Sequence, residues 1–375
     1  MKTLRRFAAF AALLICLTGC RTGNESIVLG CLSPLTGEGA TYGRSTRRGV
    51  ELAVEEINAQ KRLPKSLSVI FEDDKMSPKD GVSAFQKLVN VDHVPLVIGP
   101  FGSSIVLASA PIANETKTVI ITASATADKI ADAGDYVFRI VPPNSKQGSD
   151  LAQFCLGKLH AKRAAILYQT NDYGLTLRDA FDKTFRELGG VVVGAEGYPL
   201  GATDYRAALT KLKTMKPDVV FYPLHQAEAA LMLRQAKELG YGCDFVSADG
   251  AYTEDLIKAA GSAAEGSYFS TMALAYGVAD QAISQFQSRF KAKFNQDPDV
   301  YSAYYYEVTN LVAQVIKDNG SSGEEIRKGL YALTGSNAYH GITGVTAFDA
   351  KGEVNKAFYI YQVKNGGFHL VGPPL

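Results

Sequence analysis

The sequence predicts an α/β protein of two lobes, each a mainly parallel sheet flanked by helices. Three observations carry this. Strand and helix patterns alternate from residue 27 to about residue 270, as in sheets whose parallel strands are joined by crossover helices. The rhythm breaks near residue 142, at the double proline of DYVFRIVPPNSKQG, and then restarts, which marks a crossing between domains. A chain of 375 residues also exceeds what one compact core organises.

The first element is a leader. Lys2, Arg5 and Arg6 precede the short apolar run FAAFAALLICL, which is too short to span a bilayer and has the basic start of a secretory signal. LTGC, Leu17 to Cys20, follows. It resembles the lipobox of bacterial lipoproteins, which implies cleavage before Cys20 and a diacylglycerol on its sulfur. Ordinary secretion with cleavage nearby is the alternative. Residues 1–19 are thus read as a signal peptide and 20–26 as a lipidated linker. Losing three basic residues takes the net charge from +1 to −2, which offers no footprint for nucleic acid. No later stretch approaches the ~20 apolar residues of a spanning helix. Cys31, Cys155 and Cys243 match no zinc spacing. Cys31 lies in an apolar strand, and pairing of Cys155 with Cys243 is left open.

In the first unit SIVLGCL reads as a strand and RSTRRGVELAVEEINAQ as a helix, with Val50, Ala53, Val54 and Ile57 on one face. LSVIFEDD, PKDGVSAFQKLVN and PLVIG continue the alternation, then a helix opened by Ser103-Ser104, then KTVIIT. The serine pair either caps that helix or sits at an anion site, where free backbone N–H groups converge. In the second unit RAAILYQT, VVVGAEGY, PDVVFYPL and DFVSAD are strands separated by helical segments. Two long helices follow, DQAISQFQSRFKAKF and VYSAYYYEVTNLVAQVIKDNG. GVTAFDAKGEVNKAFYIYQVKNGGFHLV reads as one tyrosine-rich hairpin.

Cofactor and catalytic patterns fail on detail. GEGATYG, Gly37 to Gly43, imitates a dinucleotide fingerprint, but its third glycine comes one residue late and the loop starts well beyond the strand. There is no G-x-S-x-G, H-E-x-x-H or P-loop, and the five histidines are dispersed. Ser288-Arg289-Phe290-Lys291 fits S-x-x-K, yet it lies on a polar helix without its companion motifs. The reading is therefore a protein that is no enzyme and holds neither cofactor nor metal.

What remains is a set of small polar groups at strand ends, where open α/β sheets bind ligands. Ser103 follows one strand of the first unit and TASAT, Thr122 to Thr126, the next. In the second unit Tyr173, His225 and Asp249 each follow a strand. Such a set suits a compact zwitterion, its carboxylate on Ser103, Thr126 and backbone N–H groups, its ammonium on a carboxylate such as Asp249.

GEGATYGRSTRRGVELAVEEIN, VIGPFGSS, IITASAT, YGLTLRDAF, LMLRQAKELG and SADG, in this order, resemble the periplasmic leucine/isoleucine/valine-binding proteins of ABC importers. The resemblance runs through nearly all of the mature chain. It implies a periplasmic-binding-protein type I clamshell with three hinge crossings. The implied lobes are 27–143 plus 272–348, and 144–271 plus 349–375. Residue by residue, it implies that Ser103 binds the α-carboxylate and Thr126 both carboxylate and ammonium. Ser124 falls where the family has Ala or Gly, with a backbone carbonyl toward the ammonium. Tyr42 and Tyr173 wall the side-chain pocket, Asp249 stands where the best-known members have Glu, and His225 and Tyr301 fall near pocket aromatics. The implied function is an extracytoplasmic solute-binding protein, a monomer anchored through Cys20 at the periplasmic face or cell surface. It binds a branched-chain or other apolar amino acid and delivers it to an ABC permease. A ligand-sensing receptor lobe for amides or aromatic acids shares this fold and is the alternative. Ser124, Asp249 and His225 make the pocket more polar than a purely aliphatic site.

Overall fold

The computed structural model describes residues 26–272 and 281–372. The expected signal peptide, Cys20 and the linker up to residue 25 lie outside the described residues. The first sheet contains β1 (Ile27–Ser33), β2 (Leu67–Asp73), β3 (Leu96–Ile98), β4 (Val119–Thr122) and β5 (Val137–Arg139). All are parallel, in the order β2-β1-β3-β4-β5. Strands β3 and β4 are buried throughout, which explains their unbroken apolar runs. Crossovers are made by α1 (Ala40–Ala59), α2 (Pro78–Asn90) and α3 (Ser103–Thr116). Helix α2 starts where it does because Ser77 accepts a hydrogen bond from Asp80 N and Pro78 occupies the first turn.

The chain then enters a second sheet through α4 (Asn144–Gly157). Its strands are β6 (Arg163–Gln169), β7 (Val191–Tyr198), β8 (Val219–Phe221), β9 (Asp244–Ser247) and β10 (Tyr268–Met272). Between them run α5 (Asp172–Glu187), α6 (Arg206–Thr214), α7 (Gln226–Glu238) and α8 (Glu254–Ala260). The order β7-β6-β8-β9-β10 repeats that of the first sheet. Each sheet therefore has a switch point, between β1 and β3 and between β6 and β8, where crossovers depart to opposite faces and leave a crevice at the strands' carboxyl ends.

After the second sheet come α9 (Gln281–Phe294), α10 (Val300–Asn319) and α11 (Gly323–Tyr331). Helix α10 is buried along most of its length, which explains the three adjacent tyrosines Tyr304, Tyr305 and Tyr306 in its sequence. It lies so close to α1 that a Cβ on Gly49 would stand 2.1 Å from the Ser302 carbonyl oxygen, so only glycine fits there.

The carboxyl-terminal segment departs from the single hairpin expected. Strands β11 (Tyr339–Gly341) and β12 (Gly344–Thr346) form a two-stranded sheet of their own. Strands β13 (Phe358–Lys364) and β14 (Gly367–Leu370) add antiparallel strands to the second sheet beside β10. The division falls at a turn in which Gly352, at φ +72, donates to Asp349 O. This connector is pinned at two places. Buried Arg139 meets Glu353 with Nε 2.7 Å from Oε1 and also donates to Ala127 O. Lys356 Nζ lies 3.2 Å from Glu307 Oε1 inside the protein. Cys31, Cys155 and Cys243 are all free thiols, so Cys155 and Cys243 do not pair.

Candidate functional site

The carboxyl ends of both sheets converge on a cavity of about 210 Å³. By the measure in which one water needs ~10–15 Å³, this is room for on the order of ten heavy atoms. Of the eight residues singled out in the sequence, Ser103, Ser124, Tyr173, His225, Asp249 and Tyr301 line it. Tyr42 and Thr126 do not; they stand behind the wall and hold it.

On the first lobe, β3 ends at Ile98 and α3 begins with Ser103. The N-cap of α3 is Gly102 and no side chain caps the helix, so the capping role considered for the serine pair is not the one observed. Ser103 Oγ instead accepts from Thr126 N at 3.2 Å and Ala127 N at 3.1 Å. Its hydroxyl proton is left for the cavity. Thr126 Oγ1 is buried with no hydrogen-bond partner, a costly state unless something arrives to meet it. Ser124 Oγ contacts Phe101 O at 2.9 Å and Tyr305 OH at 2.8 Å, which fixes the side chain to its own lobe.

On the second lobe, Tyr173 sits in the first turn of α5, which Asn171 caps by accepting from Gly174 N. The Tyr173 hydroxyl donates to Asp249 Oδ1 at 3.1 Å and accepts from Gly250 N at 2.9 Å. Asp249 does not cap α8; Thr253 does. Burial pushes the Asp249 carboxyl from 3.8 up to about 6, although hydrogen bonds from Tyr173 and Gln147 pull it down. His225 packs on the Tyr173 ring at 4.9 Å, and its Nδ1 meets Gln169 Oε1. Burial lowers its pKa to about 4, so the ring is neutral at pH 7.

Aromatic hydroxyls close the two lobes on each other. Tyr42 OH donates to Gly250 O at 2.5 Å and accepts from Gln226 N at 2.7 Å. Tyr301 OH donates to Asp249 O at 2.8 Å. Tyr42 also stacks on Phe101 at 4.5 Å and meets Tyr301 edge-on at 5.3 Å. At the rims Ser104 Oγ donates to Asp172 Oδ2 at 2.7 Å, and Arg44 lies 3.6 Å from Asp255.

Several lining residues were not singled out in the sequence: Met76, Phe101, Ile105, Asn171, Pro199 and Leu200. Phe101 and Asn171 follow strands and were within reach of the strand-end rule. Pro199 and Leu200 follow β7, an outer strand of the five parallel ones, away from the switch point. One close approach gives a direct test. A Cβ on Gly250 would lie 2.6 Å from the Tyr173 hydroxyl, so Gly250→Ala is expected to push Tyr173 off Asp249. Ligand affinity should fall by about tenfold, the value of one hydrogen bond, read by calorimetric titration against an unchanged far-ultraviolet dichroism spectrum.

The family model described as "Periplasmic binding protein" matches residues 26–367. The chain belongs to the periplasmic binding protein family. Its relatives are solute-binding proteins, and the family name implies an extracytoplasmic location. The leucine-, isoleucine-, valine-, threonine- and alanine-binding protein of Pseudomonas aeruginosa is 30% identical over 366 residues, covering 96% of each chain. The branched-chain amino acid transporter substrate binding protein of Streptococcus pneumoniae, solved in complex with isoleucine, superposes with a TM-score of 0.86. It is 29% identical and covers 93% of this chain and 100% of its own. A solute binding protein of R. palustris in complex with benzoate, at 22% identity and TM-score 0.85, covers 94% of this chain and 98% of its own, and so shares the fold. The two-lobed α/β architecture read from the sequence is that of these periplasmic binding proteins.

Proposed function

We propose that this periplasmic binding protein holds an amino acid, the branched-chain ones included, between its lobes and delivers it to the permease of an ABC importer. The observation that carries the reading is a buried carboxylate, Asp249, sharing one small cavity with the free hydroxyl proton of Ser103 on the other lobe. Ser103 donates to the ligand carboxylate, Thr126 supports Ser103 through its backbone N–H, and Asp249 takes the ammonium. Tyr173, His225 and Tyr301 enclose the side chain, Tyr42 backs that wall, and Ser124 keeps its loop in place. The lobe division at residues 143, 271 and 348 belongs to this reading, as does action as a monomer.

The magnitudes suffice. Charge-assisted hydrogen bonds contribute roughly 1.5–3 kcal/mol each, and micromolar binding needs about 8 kcal/mol. For a ligand of about nine heavy atoms that is near 0.9 kcal/mol per atom, below the ~1.5 ceiling for very small ligands.

A pH series tests the ammonium clamp. The Asp249 carboxyl is held at about 6 in the ligand-free protein and must lose its proton to pair with an ammonium. Amino-acid affinity should be level above pH 7 and weaken roughly tenfold per pH unit below 6. A ligand with a carboxylate but no amine should not weaken. Equal behaviour of both ligands in calorimetric titrations between pH 5 and 8 would overturn the assignment.

Anchorage through Cys20 is part of the same proposal. A single acyl-bearing cysteine tethers while the rest of the chain stays in solution. Cys20→Ser is expected to move the protein from the detergent phase to the aqueous phase on partitioning; an unmoved protein would remove the anchor from the account.

A further inference from the structure

We infer that the side-chain end of the cavity selects amino acids bearing a neutral hydrogen-bond donor, a hydroxyl or an amide, received by His225 Nε2. This rests on the amino-acid reading above and narrows it.

The hydroxyls of Tyr42, Tyr173, Tyr301 and Ser104 already have protein partners for their protons. Tyr42 OH donates to Gly250 O, Tyr301 OH to Asp249 O and Tyr173 OH to the Asp249 carboxylate. Ser104 Oγ donates to Asp172. These tyrosines offer a ligand their rings rather than their O–H groups. His225 is different. Its Nδ1 faces Gln169 Oε1; in the tautomer we assign, Nδ1 donates to that amide oxygen and Nε2 keeps a bare lone pair for the ligand. Gln169 is fully buried and among the described residues its own Nε2 has no partner, so the contact with His225 is the side-chain hydrogen bond these residues offer that amide. No hydrogen bond within the protein reaches His225 Nε2 among the described residues, and the ring lines the cavity beside Tyr173.

Neutrality matters here. The low pKa of this ring, about 4, keeps the lone pair available over the whole physiological range. A closed cleft around a purely aliphatic side chain strips water from Nε2 and returns nothing, whereas an O–H or N–H at that end restores the bond. Discrimination built on leaving a buried polar group unpaired is stronger than discrimination by one methylene. Donor-bearing side chains are therefore favoured over their aliphatic isosteres.

The test uses pairs of equal shape: threonine against valine, asparagine against leucine, and serine against 2-aminobutyrate. Full-length protein, freed of ligand by unfolding and refolding, is titrated calorimetrically with each. In at least one pair the donor-bearing member should bind about tenfold tighter or more. His225→Phe, which keeps a ring against Tyr173, should bring that ratio to within about twofold. If His225→Phe does not fold, Gln169→Met, which removes the group fixing the tautomer, should likewise reduce the ratio. Aliphatic members binding equally or more tightly in every pair would overturn the inference and leave the amino-acid reading intact. A preference that survives in the variant would overturn it too, since the donor would then be read elsewhere. Absence of binding by every amino acid would overturn both.

Discussion

Replacing Asp249 by alanine is expected to weaken amino-acid binding by about 10- to 150-fold, the equivalent of ~1.5–3 kcal/mol for a charge-assisted bond, while leaving the ligand-free protein no easier to unfold. The two halves of this expectation have one cause. A carboxyl raised from 3.8 to about 6 is ionised at pH 7 against its surroundings, at a cost of about 3 kcal/mol. The sign follows from proton linkage: the folded state binds the proton more tightly, so this penalty is absent below about pH 4 and complete above about pH 6. An ammonium in the cleft relieves it, and alanine abolishes it. The substitution also forfeits the Tyr173 bond at 3.1 Å, worth about 1 kcal/mol, so the net effect on the empty protein is neutral or stabilising. Activity at the expense of stability is a common mark of binding sites. Calorimetry gives the affinity and urea unfolding at pH 7 the stability. A variant that loses stability and keeps affinity would identify Asp249 as a structural residue of the second lobe.

The same residue shows what was legible in the sequence. Asp249, Ser103, Tyr173 and His225 each stand just after an apolar run that can only be a buried strand. Ser103, Tyr173 and His225 follow strands that flank a switch point, where an open sheet leaves a crevice, and Asp249 follows the neighbouring β9, so their placement follows from local pattern. The serine pair at Ser103 was readable as a site but not as a bond network, because the N–H groups that Ser103 holds come from Thr126 and Ala127 on the next crossover. Contacts across the cleft were beyond reach for a stronger reason. Tyr42 finds Gly250 across 208 positions of sequence, and nothing in GEGATYG distinguishes a hydroxyl that bridges lobes from one that lines a pocket. The tyrosines of α10 illustrate the converse. Tyr301, Tyr304 and Tyr305 look alike in sequence. Only burial between two lobes separates Tyr301, which reaches the cavity, from Tyr304, which donates to Met272 O. Carboxyl-terminal strands failed for want of a period: a seven-residue run such as β13 looks the same whether its neighbour is β14 or β12.

Lys356→Met is expected to destabilise the protein by about 3–5 kcal/mol, the loss typical when one partner of a buried ion pair is removed. Side-chain exposure is 6% for Lys356 and 0% for Glu307, so water cannot replace the missing ammonium. The carboxylate left behind still accepts from Thr343 N and Thr343 Oγ1, which holds it in place rather than letting it turn outward. Removing both charges as Glu307→Leu with Lys356→Met should restore part of the loss, because an apolar pair of similar volume is often as stable as a buried ionic one. Full recovery is not expected, since the Thr343 N–H then has no acceptor and an unmade buried bond costs about 1–3 kcal/mol. Urea midpoints of wild type, both single variants and the double variant form the cycle that isolates the pair. A single-variant loss below about 1 kcal/mol would mean the pair behaves like an exposed one. The position of the pair gives the cycle a functional reading as well. Glu307 is on α10, the helix that delivers Tyr301 to Asp249 O, and Lys356 lies two positions before β13, which joins the second sheet. In the proposed lobe division, a weakened pair loosens a connector between the two lobes. Ligand release should therefore accelerate in Lys356→Met more than association slows, since a closed cleft is reached by diffusion and kept by its contacts.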